Sequence, residues 1–515
     1  MPLASDRKEG LRLDAPAASG PEIAARRRRL GLSEHRIPRS LARQAAVARA
    51  RIVLPALVAL LAGSLTAGLA QGVLLGAAVG LLAAPLRRFP MPLHLMPTTR
   101  VLLALLPPVF GCGIFVLADA LGPRSFEIGG EAALITAGVT IAAALLLELV
   151  APRWLAACPI RMATLGAPDF ALALDEELKE VGIKHAELVG WIDQSTPALM
   201  RDVVVAHRID LVVRVSGRRG RRSERLEGED RFESLLDLPV RTIGADQLYE
   251  DLFGHVPMGT IDARWYLYML HPDFVSTRPL TDRILELAVA LPVLVVVSPV
   301  LALAALAIKL SDRGPAVYRQ TRVGAGGHEF QILKLRTMEA GAELHGAAWS
   351  GPADVRVTPV GRVLRRLHID ELPQLLNVIR GEMTLVGPRP ERPEMVAELE
   401  RLFPHYRRRH LIKPGVTGWA QVRCGYAGST LGTAWKLCHD LYYLKRRTRV
   451  VNFMVVLETL RIAGLDSHRP LRVPPSQLLF GQDLGLDLSE DVEGEMPAGV
   501  TEPEELISAG PRAGR

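Results

Sequence analysis

Cysteine is scarce in this 515-residue chain: Cys112, Cys158, Cys424 and Cys438 are scattered, and no pair has metal-ligand spacing. That excludes a disulfide-stapled secreted scaffold and a zinc finger. Aromatic residues make up only 5% although 49% of the chain is hydrophobic. The apolar weight is therefore Ala, Leu and Val, a composition that suits membrane helices and is too apolar for a disordered chain. An excess of basic charge is also missing from most of the sequence, where acidic and basic residues balance. Residues 1–51 carry twelve Lys/Arg against five Asp/Glu, which accounts for the whole net charge of +7. The run Arg26 to Arg29 precedes the first apolar segment, where an orientation signal is expected, and no nucleic-acid reading domain follows it. Nucleic acid is not an expected partner. A cleaved signal peptide is not expected, because the apolar stretch begins only at Ile52.

From Ile52 to Leu86 there is no charged residue. These 35 residues would make about 52 Å of helix, whereas one bilayer crossing needs about 20 residues. Two short helices with a turn near Ala67 to Gly72 are expected, followed by spans at Val101 to Leu121 and Ala132 to Val150. Four transmembrane helices within 51–152 satisfy the charge rule: Arg87, Arg88 and Arg100 lie in one loop, and a single Arg with two Glu in the next. Both the basic segment 1–50 and the region after Val150 then face the cytoplasm.

Residues 153–275 read as an α/β domain. Apolar runs at Ile160 to Leu165, Ala186 to Trp191, Ile209 to Val215 and Val240 to Ile243 alternate with helical patterns such as Pro168 to Val181. That alternation predicts a parallel, Rossmann-like sheet. The turn after the first strand, Leu165-Gly166-Ala167-Pro168, has one glycine where a dinucleotide site has three, so the domain reads as degenerate. The arginine-rich stretch 217–225 is either a solvated loop or a headgroup contact.

A fifth apolar stretch, Leu287 to Ile308, is long enough to cross a membrane, yet Arg283 precedes it and Lys309, Arg313, Arg319 and Arg322 follow it. Both flanks want the same side. Ser298 and Pro299 stand in its middle, where a proline removes a backbone hydrogen bond. A helix over 284–310 that enters the leaflet, breaks and returns is the expectation, and a kinked spanning helix is the alternative. The tail 466–515 has nine acidic and no basic residues between Asp483 and Glu505, a composition expected to be disordered.

The chemistry concentrates in Leu364 to Pro393. Leu372, Leu375, Leu376 and Ile379 follow a helical spacing that Gly381 ends, placing Asp370 and Glu371 at the N-terminal end of a helix. Carboxylates there can simply cap. The surroundings suggest more: Arg362, Arg365 and Arg366 precede the pair, Arg389 sits in the rigid Pro388-Arg389-Pro390 turn, and Lys334 and Arg336 share one side of an expected strand over Phe330 to Met338. Adjacent carboxylates among cations suit a divalent metal on a diphosphate, with one carboxylate free to attack phosphorus.

Several motifs then converge: Ser298-Pro299, GPAVYRQTRVG from Gly314, KLRTM from Lys334, IDELPQLLNVIRGEMTLVGPRPERP from Ile369, KPGVTGWAQV from Lys413 and DLYYLK from Asp440. Over about Leu280 to Gly464 the chain resembles the bacterial sugar transferases, the monotopic phosphoglycosyl transferases that initiate exopolysaccharide and related glycans. With its four spans and α/β domain it resembles the larger polyprenyl glycosylphosphotransferases. The resemblance implies a catalytic domain over 280–465. Asp370 would be the nucleophile on the β-phosphate of a UDP-sugar, expelling UMP and forming a phosphosugar-aspartyl intermediate that polyprenol phosphate resolves. Glu371 would hold Mg²⁺, Arg365 would lie near the transferred phosphate, and Arg389 would bind donor. It further implies a bacterial inner membrane location with the catalytic domain on the cytoplasmic face, the lipid bilayer as a partner, and leaves a homo-oligomer open. Two positions depart from the commoner pattern, Leu367-His368 before Ile369 and His439 before Asp440. His368 is either a proton carrier or a surface or packing residue, and Tyr442 and Tyr443 read as packing or interfacial aromatics. A glycosyltransferase attacking the sugar carbon would need an Asp-x-Asp-type motif near the basic loops, which is absent, and a scaffold protein would not need the intact acidic and basic cluster.

Overall fold

In a computed structural model, residues 11–13, 38–66, 69–83, 101, 104–111, 113, 130–166, 168–192, 197–215, 238, 240–261, 265, 279–312, 314–339, 356–403, 405–424 and 430–465 are described. They form a mostly helical chain with one parallel sheet and two small sheets, divided into two compact units, Met1–Gly254 and His255–Arg515.

In the first unit α1 (Arg39–Thr66) and α2 (Leu69–Ala83) pair as a hairpin, and α3 (Gly130–Ala156) packs beside α1. The change of helix falls in the expected turn region. The first helix begins upstream of Ile52 because Arg39 to Arg51 is rich in Ala and Arg, good helix formers that extend it beyond the apolar run. Arg51 forms a two-pronged pair with Glu148, Nε to Oε1 at 2.6 Å and Nη2 to Oε2 at 3.0 Å, while the Thr66 and Thr136 hydroxyls meet at 2.8 Å. The first contact joins the middle of α1 to the later half of α3 and the second joins the end of α1 to the start of α3, so the two helices run antiparallel. Ser40–Thr66 and Leu134–Ala156 are long and apolar enough to cross a membrane, whereas Gln71–Leu81 in α2 is shorter. Of the expected span Val101 to Leu121, residues 104–111 are helical and the rest lies mainly outside the described residues. The tail 466–515 and the stretch 217–225 lie wholly outside them.

The α/β part is β2 (Ile160–Leu165), α4 (Pro168–Val181), β3 (Ala186–Ile192), α5 (Pro197–Ala206), β4 (Leu211–Arg214), β5 (Arg241–Gly244) and α6 (Ala245–Leu252). All strands pair in parallel, as the alternation predicts. A fifth strand, β1 (Arg12–Leu13), comes from the basic N-terminal segment and pairs with β3, giving the order β1-β3-β2-β4-β5. Two residues carry no periodic signal, which hides this strand in the sequence. Gly190 makes room for it: a Cβ there would stand 2.2 Å from the Leu11 carbonyl oxygen. Because β1 shares a sheet with β2–β5, Arg12 and the strands from Ile160 onward lie on the same side of any bilayer that the intervening chain meets.

In the second unit a 3₁₀ turn (Met258–Thr260) precedes α7 (Pro279–Asp312), 34 residues containing Pro292 and Pro299. The helix runs through Ser298-Pro299 without interruption, where a break is expected from the sequence. Ser298 Oγ donates to the Val295 carbonyl at 2.8 Å. That carbonyl is the one that Pro299, lacking an N–H, leaves without its helical donor. After α7 come the antiparallel hairpin β6 (Val317–Val323) and β7 (Glu329–Leu335), α8 (Pro359–Arg366), a 3₁₀ turn (Ile369–Glu371), α9 (Gln374–Arg380), β8 (Thr384–Val386) and α10 (Pro393–Leu402). A 3₁₀ segment (Tyr406–Leu411), β9 (Gly415–Thr417), α11 (Trp419–Cys424), α12 (Thr430–Arg446) and α13 (Arg449–Leu465) complete the unit, with β8 and β9 paired in parallel.

The antiparallel α1/α3 pair and the shared sheet generate a prediction. With native cysteines removed, Arg12→Cys and Glu187→Cys should show the same sidedness toward a membrane-impermeant thiol reagent in intact cells. Labelling of one from outside and of the other only after lysis would break the β1–β3 pairing as an account of the topology.

Candidate active site

The acidic pair lies on its own 3₁₀ turn, one step before the helix expected to carry it. Pro373 lacks an N–H and caps α9, so the regular helix starts at Gln374. The buried face of α9 is Leu375 and Val378, packed on Ile332, Met383 and Ala290, whereas Leu376, expected inside, is exposed. A buried polar residue fixes the register. Asn377 Oδ1 accepts from Leu333 N at 3.0 Å and its Nδ2 donates to the Gln331 carbonyl at 2.7 Å, docking α9 on β7. Gly381, at φ +84°, closes the helix as expected.

This docking brings the β7 lysine to the turn. Glu371 Oε1 accepts from Lys334 Nζ at 3.1 Å and from Arg389 Nη2 at 2.6 Å, and Oε2 accepts from Arg389 Nη1 at 3.2 Å. Both oxygens are held. Burial alone would raise the Glu371 carboxyl, but Arg389 and Lys334 hold it well below the usual carboxylate range. Asp370 is in the opposite condition: buried, and with no hydrogen bond to its carboxylate among the described residues. Burial first, then the charge of Glu371, pushes its carboxyl up, against the pull of Lys334, Arg365 and Arg389. Two neighbouring carboxylates are thereby driven apart, an arrangement that assigns them different tasks.

The other expected residues fall around this centre. Arg365, in the last turn of α8, donates from Nε to Thr337 Oγ1 at 2.9 Å and bears electrostatically on Asp370. Arg336 is buried, with its guanidinium beside Gly314. Lys334 thus serves the acidic pair directly, while Arg336 supports the loop before β6. Ser298 and Pro299 lie in α7, whose Leu301, Ala304 and Ala305 pack with Leu364 and Ile369. His368 takes a left-handed backbone, φ +55°, where α8 gives way to the turn, and its side chain is exposed. His439 is buried, with Nδ1 3.0 Å from the Trp435 carbonyl and 3.3 Å from Cys424 Sγ; burial pushes its pKa down to about 3, so it packs as a neutral ring. Tyr442 stacks on Trp419, and Tyr443 donates to the Val386 carbonyl at 2.9 Å. Both are interior packing groups.

Sequence reasoning passed over the residues that hold the Pro-Arg-Pro turn. Arg322, Glu391, Arg409 and Asp440 all belong to quoted motifs or their neighbours, but their partners are distant in the chain. For a metal, the donor set is the two adjacent carboxylates. No group of three or more His, Cys, Asp or Glu able to hold an ion occurs among the described residues. The set fits a hard ion that completes its shell with phosphate oxygens and water, as Mg²⁺ does, and not an all-protein cage.

Residues 277–464, the stretch that contains this geometry, match the family model described as bacterial sugar transferase. The chain is 44% identical over 183 residues to a UDP-glucose:undecaprenyl-phosphate glucose-1-phosphate transferase of Caulobacter vibrioides, covering 35% of this chain and 68% of that one. The chain belongs to the bacterial sugar transferase family. It is also 39% identical over 189 residues to the exopolysaccharide production protein PSS of Rhizobium leguminosarum bv. phaseoli, covering 35% of this chain and 91% of the relative. A longer match, 38% identical over 244 residues, is to a UDP-N-acetylgalactosamine-undecaprenyl-phosphate N-acetylgalactosaminephosphotransferase of Aeromonas hydrophila. It covers 47% of this chain and 56% of the relative, so this chain spans little more than half of that relative's length.

The unlike states of the two carboxylates can be read without turnover. Carbodiimide reacts with protonated carboxyls, so its attack on Asp370, followed by peptide mass mapping, should show a midpoint above the ordinary Asp value of about 3.9. Glu371→Gln removes the like charge and releases Arg389 and Lys334 toward Asp370. Both changes favour the anion, and the midpoint should move to lower pH; an unmoved or raised midpoint would contradict the electrostatic account.

Proposed function

We propose that the protein is a phosphoglycosyl transferase that moves a sugar-1-phosphate from a UDP-sugar to polyprenol phosphate at the cytoplasmic face of the inner membrane, initiating exopolysaccharide or related glycan assembly. The observation that carries this reading is the pairing of a locked Glu371 with a neighbouring Asp370 whose carboxylate makes no hydrogen bond among the described residues and lies under three cations. A carboxylate that the protein does not tie up is free to attack. The relatives' names, which specify UDP-sugars and undecaprenyl phosphate, supply the substrate class.

In this reading an Asp370 carboxylate oxygen attacks the β-phosphorus, the bond from that phosphorus to the bridging oxygen breaks, and UMP leaves with the electron pair. A phosphate oxygen of polyprenol phosphate then attacks the same phosphorus and expels the Asp370 carboxylate, leaving a polyprenyl-diphosphate-linked sugar. Arg389 and Lys334 sit where they can neutralise the diphosphate, and Arg365 approaches Asp370 from α8. Mg²⁺, if held by Glu371 through Oε2, would add charge neutralisation on the diphosphate and leave Asp370 free to attack.

A placement of α7 with both ends on the cytoplasmic side, without the break expected from the sequence, belongs to the same reading and is supported by its packing. Near its start Arg283 donates to the Val378 and Ile379 carbonyls at 2.7 and 2.6 Å, and Glu286 accepts from Thr384 Oγ1. Toward its end Ala304 and Ile308 pack on Ala316, Leu335 and Leu364. Both halves rest on the same domain, which supports a placement on one side of the membrane for both ends of α7. Its other side leaves Val295, Val296, Leu303 and Leu310 about 70% exposed, ready for lipid.

Purified protein with Mg²⁺, polyprenol phosphate and a UDP-sugar panel should release UMP and not UDP, and Asp370→Asn should abolish release in a folded preparation. UDP as the product would point to attack at the sugar carbon. For the topology, single cysteines at Thr281 and Ser311 should both resist an impermeant thiol reagent in intact cells and react after lysis. Labelling at Ser311 in intact cells would establish a spanning helix.

A further inference from the structure

The Arg389 turn is held by its carbonyls. Pro388 and Pro390 have no N–H to offer, so the backbone on either side of Arg389 can be fixed mainly through acceptors. Three successive carbonyls are each taken: Pro388 O by Gly415 N at 3.0 Å, Arg389 O by Arg409 Nη2 at 2.8 Å, and Pro390 O by Arg322 Nη1 at 3.1 Å. The first contact needs two glycines, since a Cβ on Gly415 would lie 2.0 Å from Gly387 N.

Arg409 is the buried member of this set. Its guanidinium is only 5% exposed and meets Asp440 Oδ2 through Nε at 3.1 Å and Nη2 at 2.9 Å, while Nη1 donates to Tyr406 Oη at 2.7 Å. Asp440 is 2% exposed and sits on α12, so the fork ties three separate elements together: α12, the 3₁₀ segment and the turn. One planar guanidinium makes all of these bonds, which the point charge of a lysine could not reproduce. Without Asp440, Arg409 would be an uncompensated buried cation close to Arg389, and the two would repel.

We propose that Arg409, clamped by Asp440 and Tyr406, is a positioning residue that sets Arg389 for the donor diphosphate. The inference rests on the reading that Arg389 binds that diphosphate, and adds the residues that decide where its guanidinium points. The clamp gives the Asp440 motif a role at the acidic pair that α12 itself does not reach: Asp440 holds Arg409, Arg409 holds the Arg389 carbonyl, and Arg389 holds Glu371.

A double-mutant cycle on UDP affinity, measured by calorimetry on the detergent-purified full chain, tests this without turnover. Arg409→Lys should weaken UDP binding by at least about tenfold, the scale expected when a supporting shell is loosened. In an Arg389→Ala background the same change should have no further effect, because the group it positions is gone. A merely structural role would instead give equal losses in both backgrounds, and that result overturns the clamp. Should Arg409→Lys not fold, judged by gel filtration and thermal midpoint, Tyr406→Phe removes a single hydroxyl and the same criterion applies with a smaller loss. Absence of UDP binding by the wild-type protein would overturn the diphosphate reading and the clamp with it. Binding with equal losses would overturn the clamp alone.

Discussion

The site is organised around one carboxylate, that of Glu371, shared between Arg389 and Lys334. The contact joins the Pro-Arg-Pro turn and the strand β7 at a single point, and it fixes the electrostatics of the residue beside it. With Glu371 ionised and occupied, Asp370 keeps its place in a buried position next to a negative charge and under the field of three cations. A buried pair broken on one side typically loses about 3–5 kcal/mol because the remaining charge is stranded. Here two cations would be stranded, so Glu371 supports the site as well as tuning its neighbour.

The long helix α7 supplies the second constraint. Its small residues Ala290 and Ala304 let the domain approach closely, while Val295, Val296, Leu303 and Leu310 face outward. Proline within a helix ordinarily leaves a carbonyl without a donor, and Ser298 meets that need at Val295. The turn bearing Asp370 follows α8, whose Leu364 rests on this same helix. The Asp370 carboxylate is thus built onto the surface of an apolar helix, a geometry that suits the proposed meeting of a water-soluble donor with a lipid-borne acceptor.

Much of this was legible in the sequence because local rules govern it. The parallel strands from Ile160 onward follow from alternation, the end of α9 from Gly381, and the cationic surroundings of the acidic pair from residue type alone. What escaped depends on distant contacts. The strand at Arg12–Leu13 exists only because Gly190 leaves space beside β3, and no periodicity announces two residues. Leu376 has helical spacing yet faces outward, because Asn377 claims the inward register through β7. Asp370 and Glu371 sit on a separate turn since Pro373 delays the helix. Arg409 and Asp440, 31 residues apart, read as an ordinary basic run and an ordinary helix acid until the fold joins them. Ser298-Pro299 was expected to break its helix, but a hydroxyl in reach of the vacated carbonyl is enough to carry the helix through.

The central claim is that the Asp370 carboxylate itself takes the phosphosugar. Acid-quenched protein incubated with a UDP-sugar in the absence of acceptor, digested and mapped by mass spectrometry, tests it most directly. The peptide containing Asp370 should gain the mass of one phosphosugar and lose it on addition of polyprenol phosphate. Modification of a different residue, or none while UMP is released at full rate, would contradict the account.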